Sequence, residues 1–100
     1  MAVEIIALGH LSHGLDQVLD LRAAAGLRER LLQLLGEGRP LTIDASRVAR
    51  ISTACIQVII AFVIAARHAG LPLTIAPTST AFDAAFAGLG LDGVISERPA

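Results

Sequence analysis

The chain of 100 residues has no Trp or Tyr, a single Cys, three Phe and few charged residues, 17% in all. One Cys excludes an internal disulfide and fits a reducing compartment. The formal net charge of -1 provides no positive field that would attract nucleic acid, and three Phe offer few stacking platforms for single strands. Nucleic acid is therefore not an expected partner.

Long apolar runs are also absent. The longest run, residues 54–66, contains Gln57 and would span only about 20 Å as a helix, against roughly 30 Å of membrane hydrocarbon. We therefore predict a buried helix here and no membrane insertion. The N-terminus has neither a basic region before its short apolar segment nor a small-residue cleavage pattern, so no signal peptide is predicted and a cytoplasmic location is expected.

What the chain has in abundance is hydrophobic residues, 54% of the total. That fraction is typical of a globular domain and not of a disordered chain. A chain of this length can form one core and not two, so we expect a single domain over residues 1–100. Strand-like and helix-like segments alternate along it, which predicts an α/β fold with helices packed on a sheet.

The β-branched and apolar segments predict strands at 2–8, 17–19, 41–44 and 73–76, with a short edge strand at 91–95. Apolar periodicity predicts helices at 21–35, 54–68 and about 80–89, of which the second is apolar on nearly every side. Gly9 and Gly14 are expected to bracket a turn or loop. Asp20 is predicted to cap the first helix, and Thr80 to open the last helix through a capping box with Asp83.

The segment most informative about function is the elbow, residues 51–55, which precedes the apolar helix. It brings two hydroxyls, those of Ser52 and Thr53, to the first turn of that helix, where backbone N–H groups are unpaired and the helix dipole favours negative charge. One of the two is expected to be the N-cap, which needs only a hydroxyl that accepts a backbone N–H. The same place suits a phosphate, so Thr53 and Ser52 are both candidate phosphoacceptors.

Two residues close to the elbow have a structural and a functional interpretation. Asp44 ends a strand at the sheet edge where partners of open α/β sheets bind, and it either caps the next loop through an Asx turn or accepts hydrogen bonds from a partner. Cys55 is either a small buried hydrophobe or a reactive thiol at a helix N-terminus. The buried interpretation is favoured because no His is placed to serve the thiol.

Catalytic and metal-binding patterns are not found in the sequence. His10 and His13 share a predicted loop, but no Cys, Asp or Glu stands at ligand spacing beside them, so no metal site is predicted. The carboxylates form no recognisable acid and base pair, and there is no Gly-rich phosphate loop or Ser, His and Asp set. We therefore expect neither enzymatic activity nor a cofactor.

The order and spacing of several segments resemble the STAS family, the sulfate transporter and anti-sigma factor antagonist domains. These segments are Leu-Thr-Ile-Asp-Ala-Ser at 41–46, the elbow, the apolar helix at 56–66, and 73–92, which ends in Leu-Gly-Leu-Asp. The resemblance implies a mixed sheet of four or five strands with three to four helices mainly on one side. In the bacterial antagonist branch, it implies a regulator of transcription that binds an anti-sigma factor, itself a serine or threonine kinase of the histidine-kinase ATPase type.

The antagonist branch typically has Asp-Ser-Ser-Gly at the elbow, with the phosphate on the second Ser. The matching residues here are Ser52, Thr53, Ala54 and Cys55. Ala54 thus stands at the usual phosphoacceptor position, and Thr53 is the nearest hydroxyl. A hydroxyl followed by Ala is also similar to the STAS subunit of bacterial lipid-transport ABC systems, where that Thr supports docking on the ATPase.

The resemblance therefore implies a protein-docking surface. Its expected partner-contacting residues are Asp44, Ser46, Ser52, Thr53, Ala54, Cys55, Gln57, Thr78 and Ser79. The leading hypothesis is a non-enzymatic module that binds a kinase-type anti-sigma factor and is switched by phosphorylation at Thr53 or Ser52. The alternative is a subunit docked constitutively on an ABC ATPase or on a chemotaxis or two-component signalling complex. Apolar surface on the 54–66 helix also leaves association into a homodimer open.

Overall fold

The computed structural model describes residues 3–7, 9–91 and 93–94. The elements in chain order are β1 (Val3–Ala7), β2 (His10–Gly14), β3 (Val18–Leu19), a 3-10 turn (Leu21–Ala23), α1 (Ala24–Glu37), β4 (Leu41–Ala45), β5 (Arg50–Ile51), α2 (Thr53–His68), β6 (Leu73–Thr78) and α3 (Thr80–Gly88). This alternation of strands and helices confirms the predicted α/β class. Among the described residues, no helix is both long enough and apolar enough to cross a membrane.

The main sheet has the strand order β1-β2-β4-β6. β1 is antiparallel to β2, whereas β2, β4 and β6 are parallel to one another. α1 and α2 lie in the crossovers between these parallel strands, so both run antiparallel to the strands and parallel to each other. A separate two-stranded sheet pairs β3 with β5 and holds the chain that leads into α1 beside the chain that leads into α2.

The helices cover one face of the main sheet. Leu11 of β2 and Leu41 and Ile43 of β4 are buried on that face, together with apolar residues from all three helices. The opposite face carries a polar row, in which Thr42 pairs in register with Ser12 and Thr74. This single-sided arrangement confirms the mixed sheet with helices mainly on one side.

The loop predicted between Gly9 and Gly14 is wrong, because residues His10–Gly14 form β2. Alternate side chains of this strand point into the core, and the inward ones are Leu11 and His13, both buried. A strand with one aliphatic residue and one His on its buried side lacks the apolar alternation by which strands are recognised. Parallel pairing with β4 compensates for that weak local preference.

The start of the last helix also differs from its prediction. Ser79, not Thr80, is the N-cap of α3, because its Oγ accepts the N–H of Phe82 at 3.0 Å. Asp20 does cap the turn that precedes α1, through the N–H of Ala23 at 3.1 Å. A serine one residue before the expected cap satisfies the same orphan N–H groups, so the local pattern alone could not separate the two.

The edge strand predicted at 91–95 is not formed by its described residues. Gly90 takes a positive φ of 70°, and the N–H groups of Gly90 and Leu91 donate back to Ala87 and Phe86 at 2.9 and 2.8 Å. This is a Schellman motif, which reverses the chain at a helix end. Beyond it, residues 93–94 are helical, and residues 92 and 95 lie outside the described residues.

Candidate functional site

The elbow leads from β5 into α2. Ser52 has the extended backbone of an N-cap, with φ -79° and ψ 159°, and its Oγ accepts the N–H of Cys55 at 3.2 Å. Its own N–H donates to the carbonyl of Leu19 at 2.8 Å. Ser52 is therefore the N-cap that the sequence predicted for one of the two hydroxyls, and it also ties the elbow to β3.

Thr53 is the first residue of α2 and is exposed. The two candidate phosphoacceptors are thus in different surroundings, because Ser52 is only partly exposed and its oxygen already accepts a helix N–H. A negative group on Thr53 would lie beside the unpaired N–H groups of the first turn and at the positive end of the helix dipole. Of the two hydroxyls, that of Thr53 is the more accessible to a second protein.

The three residues that follow Thr53 in the predicted docking surface lie at different depths. Cys55 is 0% exposed, and its Sγ donates to the carbonyl of Asp20 at 3.3 Å, so it supports the elbow from below the surface. This agrees with the interpretation of Cys55 as a small buried group. Ala54 is partly exposed, Gln57 is exposed, and both line a groove between α1 and α2.

Asp44 and Ser46 form a turn at the end of β4. One carboxylate oxygen of Asp44 accepts the Ser46 hydroxyl at 2.6 Å and the Ser46 N–H at 2.9 Å, which is the Asx turn among its two predicted roles. The hydroxyl, the N–H and, more weakly, the charge of Arg47 lower the pKa of Asp44, because all three stabilise the ionised carboxylate. This turn carries a fixed negative charge at the same sheet edge as Ser79.

Ser79 links the end of β6 to the loop that follows β4. Its hydroxyl accepts the N–H of Phe82 and donates to the carbonyl of Val48 at 2.5 Å, and its N–H donates to the carbonyl of Ala45 at 3.1 Å. Thr78, which pairs with Ala45 in the sheet register, is partly exposed. Ser79 thus has a structural role in holding this edge together.

The predicted docking residues therefore gather at the ends of three strands. Asp44 lies near the end of β4 and Ser46 directly after it, Ser79 follows β6, and the elbow begins at the last residue of β5. Loop residues 46–49 connect β4 to β5, which leads into the elbow. The structure brings these segments to one side of the fold, with Cys55 beneath the surface and Ser52 and Ser79 engaged in helix caps.

The two histidines do not form a common site. They lie on opposite faces of β2, where His13 is buried and His10 Nε2 lies 2.9 Å from the hydroxyl of Thr42. Alternation along a strand separates them. Within the part of the chain that the structure describes, no three His, Cys, Asp or Glu side chains come together as a metal site.

Sequence reasoning missed the contribution of α1 to this side of the molecule. Arg28 and Leu32 line the groove that also contains Ala54 and Gln57, and Leu32 is 48% exposed. The sequence did contain a sign of this contribution. Leu32 lies outside the apolar stripe of α1, which consists of the buried residues Leu27, Leu31 and Leu34. Leu32 therefore adds apolar surface to the groove that the core does not cover.

Comparison with known proteins gives one family and one fold. The family model described as "Mlab, STAS domain" matches residues 14–96. No curated protein matches the chain. Among solved structures, the chain is similar to the phosphorylated form of SpoIIAA, a Bacillus cell fate determinant, with a TM-score of 0.70, 13% sequence identity, and coverage of 90% of this chain and 83% of that chain. That likeness shows the fold, and the family match spans most of the sequence: the chain belongs to the STAS domain family.

Proposed function

We propose that this domain is a non-enzymatic regulatory module that binds a protein partner through its elbow surface and releases it when Thr53 is phosphorylated. The elbow surface consists of Asp44, Ser46, Thr53, Ala54 and Gln57. The partner that the STAS resemblance implies is a kinase-type anti-sigma factor of the histidine-kinase ATPase class. In that case, the module acts as an anti-sigma factor antagonist.

The observation that carries this proposal is the exposure of Thr53 at the first position of α2. Phosphoryl transfer from ATP to its hydroxyl releases ADP and adds nearly two negative charges and three acceptor oxygens. The start of α2 accommodates that charge. The effect therefore falls on the docked partner. Either its negative groups are repelled by the phosphate, or the interface must bury a phosphate that has been stripped of its hydrating water. The fold likeness to a protein solved in a phosphorylated form supports the same proposal.

A second candidate function is favoured by Ala54. This residue stands where the antagonist branch carries its phosphoacceptor, and it has no hydroxyl to modify. In this alternative, Thr53 is an unmodified contact, and the domain is a constitutive subunit of an ABC ATPase or of a chemotaxis or two-component signalling complex.

A pull-down from the extract of the native cells distinguishes the two functions. The baits are the wild type, Thr53→Glu and, as a matched control, Thr80→Glu. Thr80 is also an exposed first residue of a helix behind a serine N-cap, so its variant adds the same charge at the same helix position; the one local difference is that the first turn of α3 already contains Asp83, whereas that of α2 contains no acidic residue. Bound proteins are identified by mass spectrometry, and a captured ATPase is incubated with each bait and ATP to map phosphorylated residues.

We expect a kinase-type ATPase that is retained by the wild type and by Thr80→Glu, is lost from Thr53→Glu, and phosphorylates Thr53. An ABC ATPase held equally by all three baits, with no phosphate on Thr53, would identify the elbow as an assembly surface. Loss of the partner from both glutamate variants would mean that added charge disrupts this edge generally, which would contradict a switch located at Thr53.

A further inference from the structure

A groove of about 400 Å³ lies between α1 and α2. Its walls are largely apolar and include Leu32 and Leu35 from α1, and Val58, Ala61 and Ala65 from α2. Small residues on α2 allow another backbone to approach closely. The groove therefore offers apolar surface that the folded domain leaves uncovered.

One end of the groove is polar and positively charged. Arg28 and Gln57, its polar lining residues, lie near the start of α1 and of α2, and Arg28 is exposed. The two helices run parallel, so the positive ends of both dipoles also point to this end. Within the described residues, Arg28 has neither a hydrogen-bond partner nor an ion-pair partner. An acidic group on a segment that covers the groove would complement the charge of Arg28.

We propose that this groove binds an amphipathic helix of the protein partner, with its apolar face along the groove and an acidic side chain against Arg28. A helix is the conformation that fits, because the groove provides few polar groups to satisfy an extended backbone, whereas a helix satisfies its own. The lining of α2 from Ala54 to Ala65 is about 17 Å long, or roughly three helical turns. This inference rests on the proposed function, since the groove adjoins the elbow surface at Ala54 and Gln57 and the helix belongs to the same partner.

The same geometry explains how Thr53 controls the contact. Thr53 immediately precedes Ala54, which lines the positive end of the groove. A phosphate on Thr53 places negative charge where the acidic side chain of the partner helix docks. The phosphate then opposes that side chain directly and weakens its attraction to Arg28.

The test begins with a phage-displayed library of helical peptides of about four turns, selected on the wild type and counter-selected on the bare support. Binding of the enriched peptides to the wild type is then compared with their binding to Ala61→Arg. Ala61 is exposed in the groove, so its arginine variant blocks the groove without entering the core. The matched control is Ile64→Arg, because Ile64 is 48% exposed on α2 but lies outside the groove. Enriched peptides are synthesised, and their affinities and chemical-shift footprints are measured by calorimetry and NMR.

We expect enriched peptides with apolar residues at helical spacing and an acidic residue toward one end. Ala61→Arg should weaken their binding at least tenfold and Ile64→Arg less than twofold. Arg28→Glu should weaken binding about fivefold, and replacing the peptide acid by Lys should restore it. Failure to enrich helical peptides, a footprint away from α1 and α2, or no rescue by the charge exchange would overturn the proposal.

Two further measurements separate this inference from the proposed function. Sedimentation of the free protein shows whether a dimer forms that Ala61→Arg dissociates, and such a dimer would assign the groove to a second copy and overturn the inference. Peptide binding to Thr53→Glu tests the switch. If Thr53→Glu binds the peptides as the wild type does while Ala61→Arg does not, the helix groove stands and control by charge at Thr53 fails.

Discussion

At the scale of single residues, the serines that cap α2 and α3 have nearly the same backbone conformation, but their hydroxyls have different numbers of hydrogen-bond partners. Ser52 has φ -79° and ψ 159°, and Ser79 has φ -77° and ψ 161°. The hydroxyl of Ser52 caps its helix through Cys55, whereas that of Ser79 caps through Phe82 and also donates to the carbonyl of Val48. Sequence could predict a hydroxyl cap at each helix, but it could not predict the second bond, which joins residues 31 positions apart.

Ser79→Ala should therefore destabilise the fold more than Ser52→Ala does. Ser52→Ala loses one cap, worth about 1 kcal/mol. Ser79→Ala loses a cap and also removes the donor to the Val48 carbonyl, for roughly another 1 kcal/mol. Urea unfolding of both variants measures the difference, with Thr53→Ala as a control that removes an exposed hydroxyl. Equal losses for the two serine variants would contradict the bridging role of Ser79.

The Asx turn at the end of β4 should be detectable in solution through the lowered pKa of Asp44. Ser46→Ala removes the hydroxyl that contributes most to lowering the pKa of Asp44, so that pKa should rise toward its ordinary value, while the Ser46 N–H keeps part of the effect. The pKa of Asp44 is lower in the folded state than in the unfolded state. The ionised carboxylate therefore stabilises the fold at pH values above the unfolded pKa, and this stability is lost as the pH falls through the folded pKa. An NMR titration of the Asp44 carboxyl carbon checks the direction. An unchanged pKa in Ser46→Ala would mean that the hydroxyl bond does not hold in solution.

At the scale of elements, the sequence predicted the segments with strong periodicity and missed two strands without it, β2 and the two-residue β5. Helices α1 and α2 were recognised from apolar spacing, and the elbow was placed correctly at the start of α2. β2 was missed because His13 fills an inward position that normally holds an aliphatic residue. Its partner strand β4 lies far along the chain, and local patterns carry no information about that pairing.

The starts of α2 and α3 should both accept negative charge. Thr53→Glu and Thr80→Glu place a carboxylate in the first turn of a helix, where the dipole favours it by about 0.3–1 kcal/mol. We expect Thr53→Glu to unfold at the same or a slightly higher urea concentration than the wild type, with the gain reduced in high salt. Thr80→Glu should gain less, because Asp83 already places a negative charge in the first turn of α3. A clear loss of stability in Thr53→Glu would show that the elbow does not tolerate charge, and loss of partner binding by that variant could then not be assigned to repulsion.

At the scale of the whole molecule, the site depends on one core shared by all three helices. α1, α2 and α3 contribute buried residues to the same cluster over one face of the sheet. The sequence predicted this layered arrangement, since alternating strands and helices have few other solutions. It could not predict the groove between α1 and α2 or its positive end, because these depend on how two helices, each plausible alone, lie side by side.

Because the core is shared, the stability of the whole domain should depend on the buried residues of α3. Phe82 and Phe86 are 0% and 1% exposed, with ring centroids 4.6 Å apart. Phe82→Ala should cost about 3–5 kcal/mol, a large part of the 5–15 kcal/mol that holds a typical domain. Leu89→Ala is the control, because Leu89 is 51% exposed at the end of α3, and its loss should be under about 0.5 kcal/mol. Urea unfolding measures both, and the transition of Phe82→Ala should stay cooperative when monitored at probes in α1 and α3. If α3 instead unfolds before α1, then α3 and the sheet edge that Ser79 holds unfold as a separate cooperative unit. The elbow surface could then keep its structure after α3 is lost.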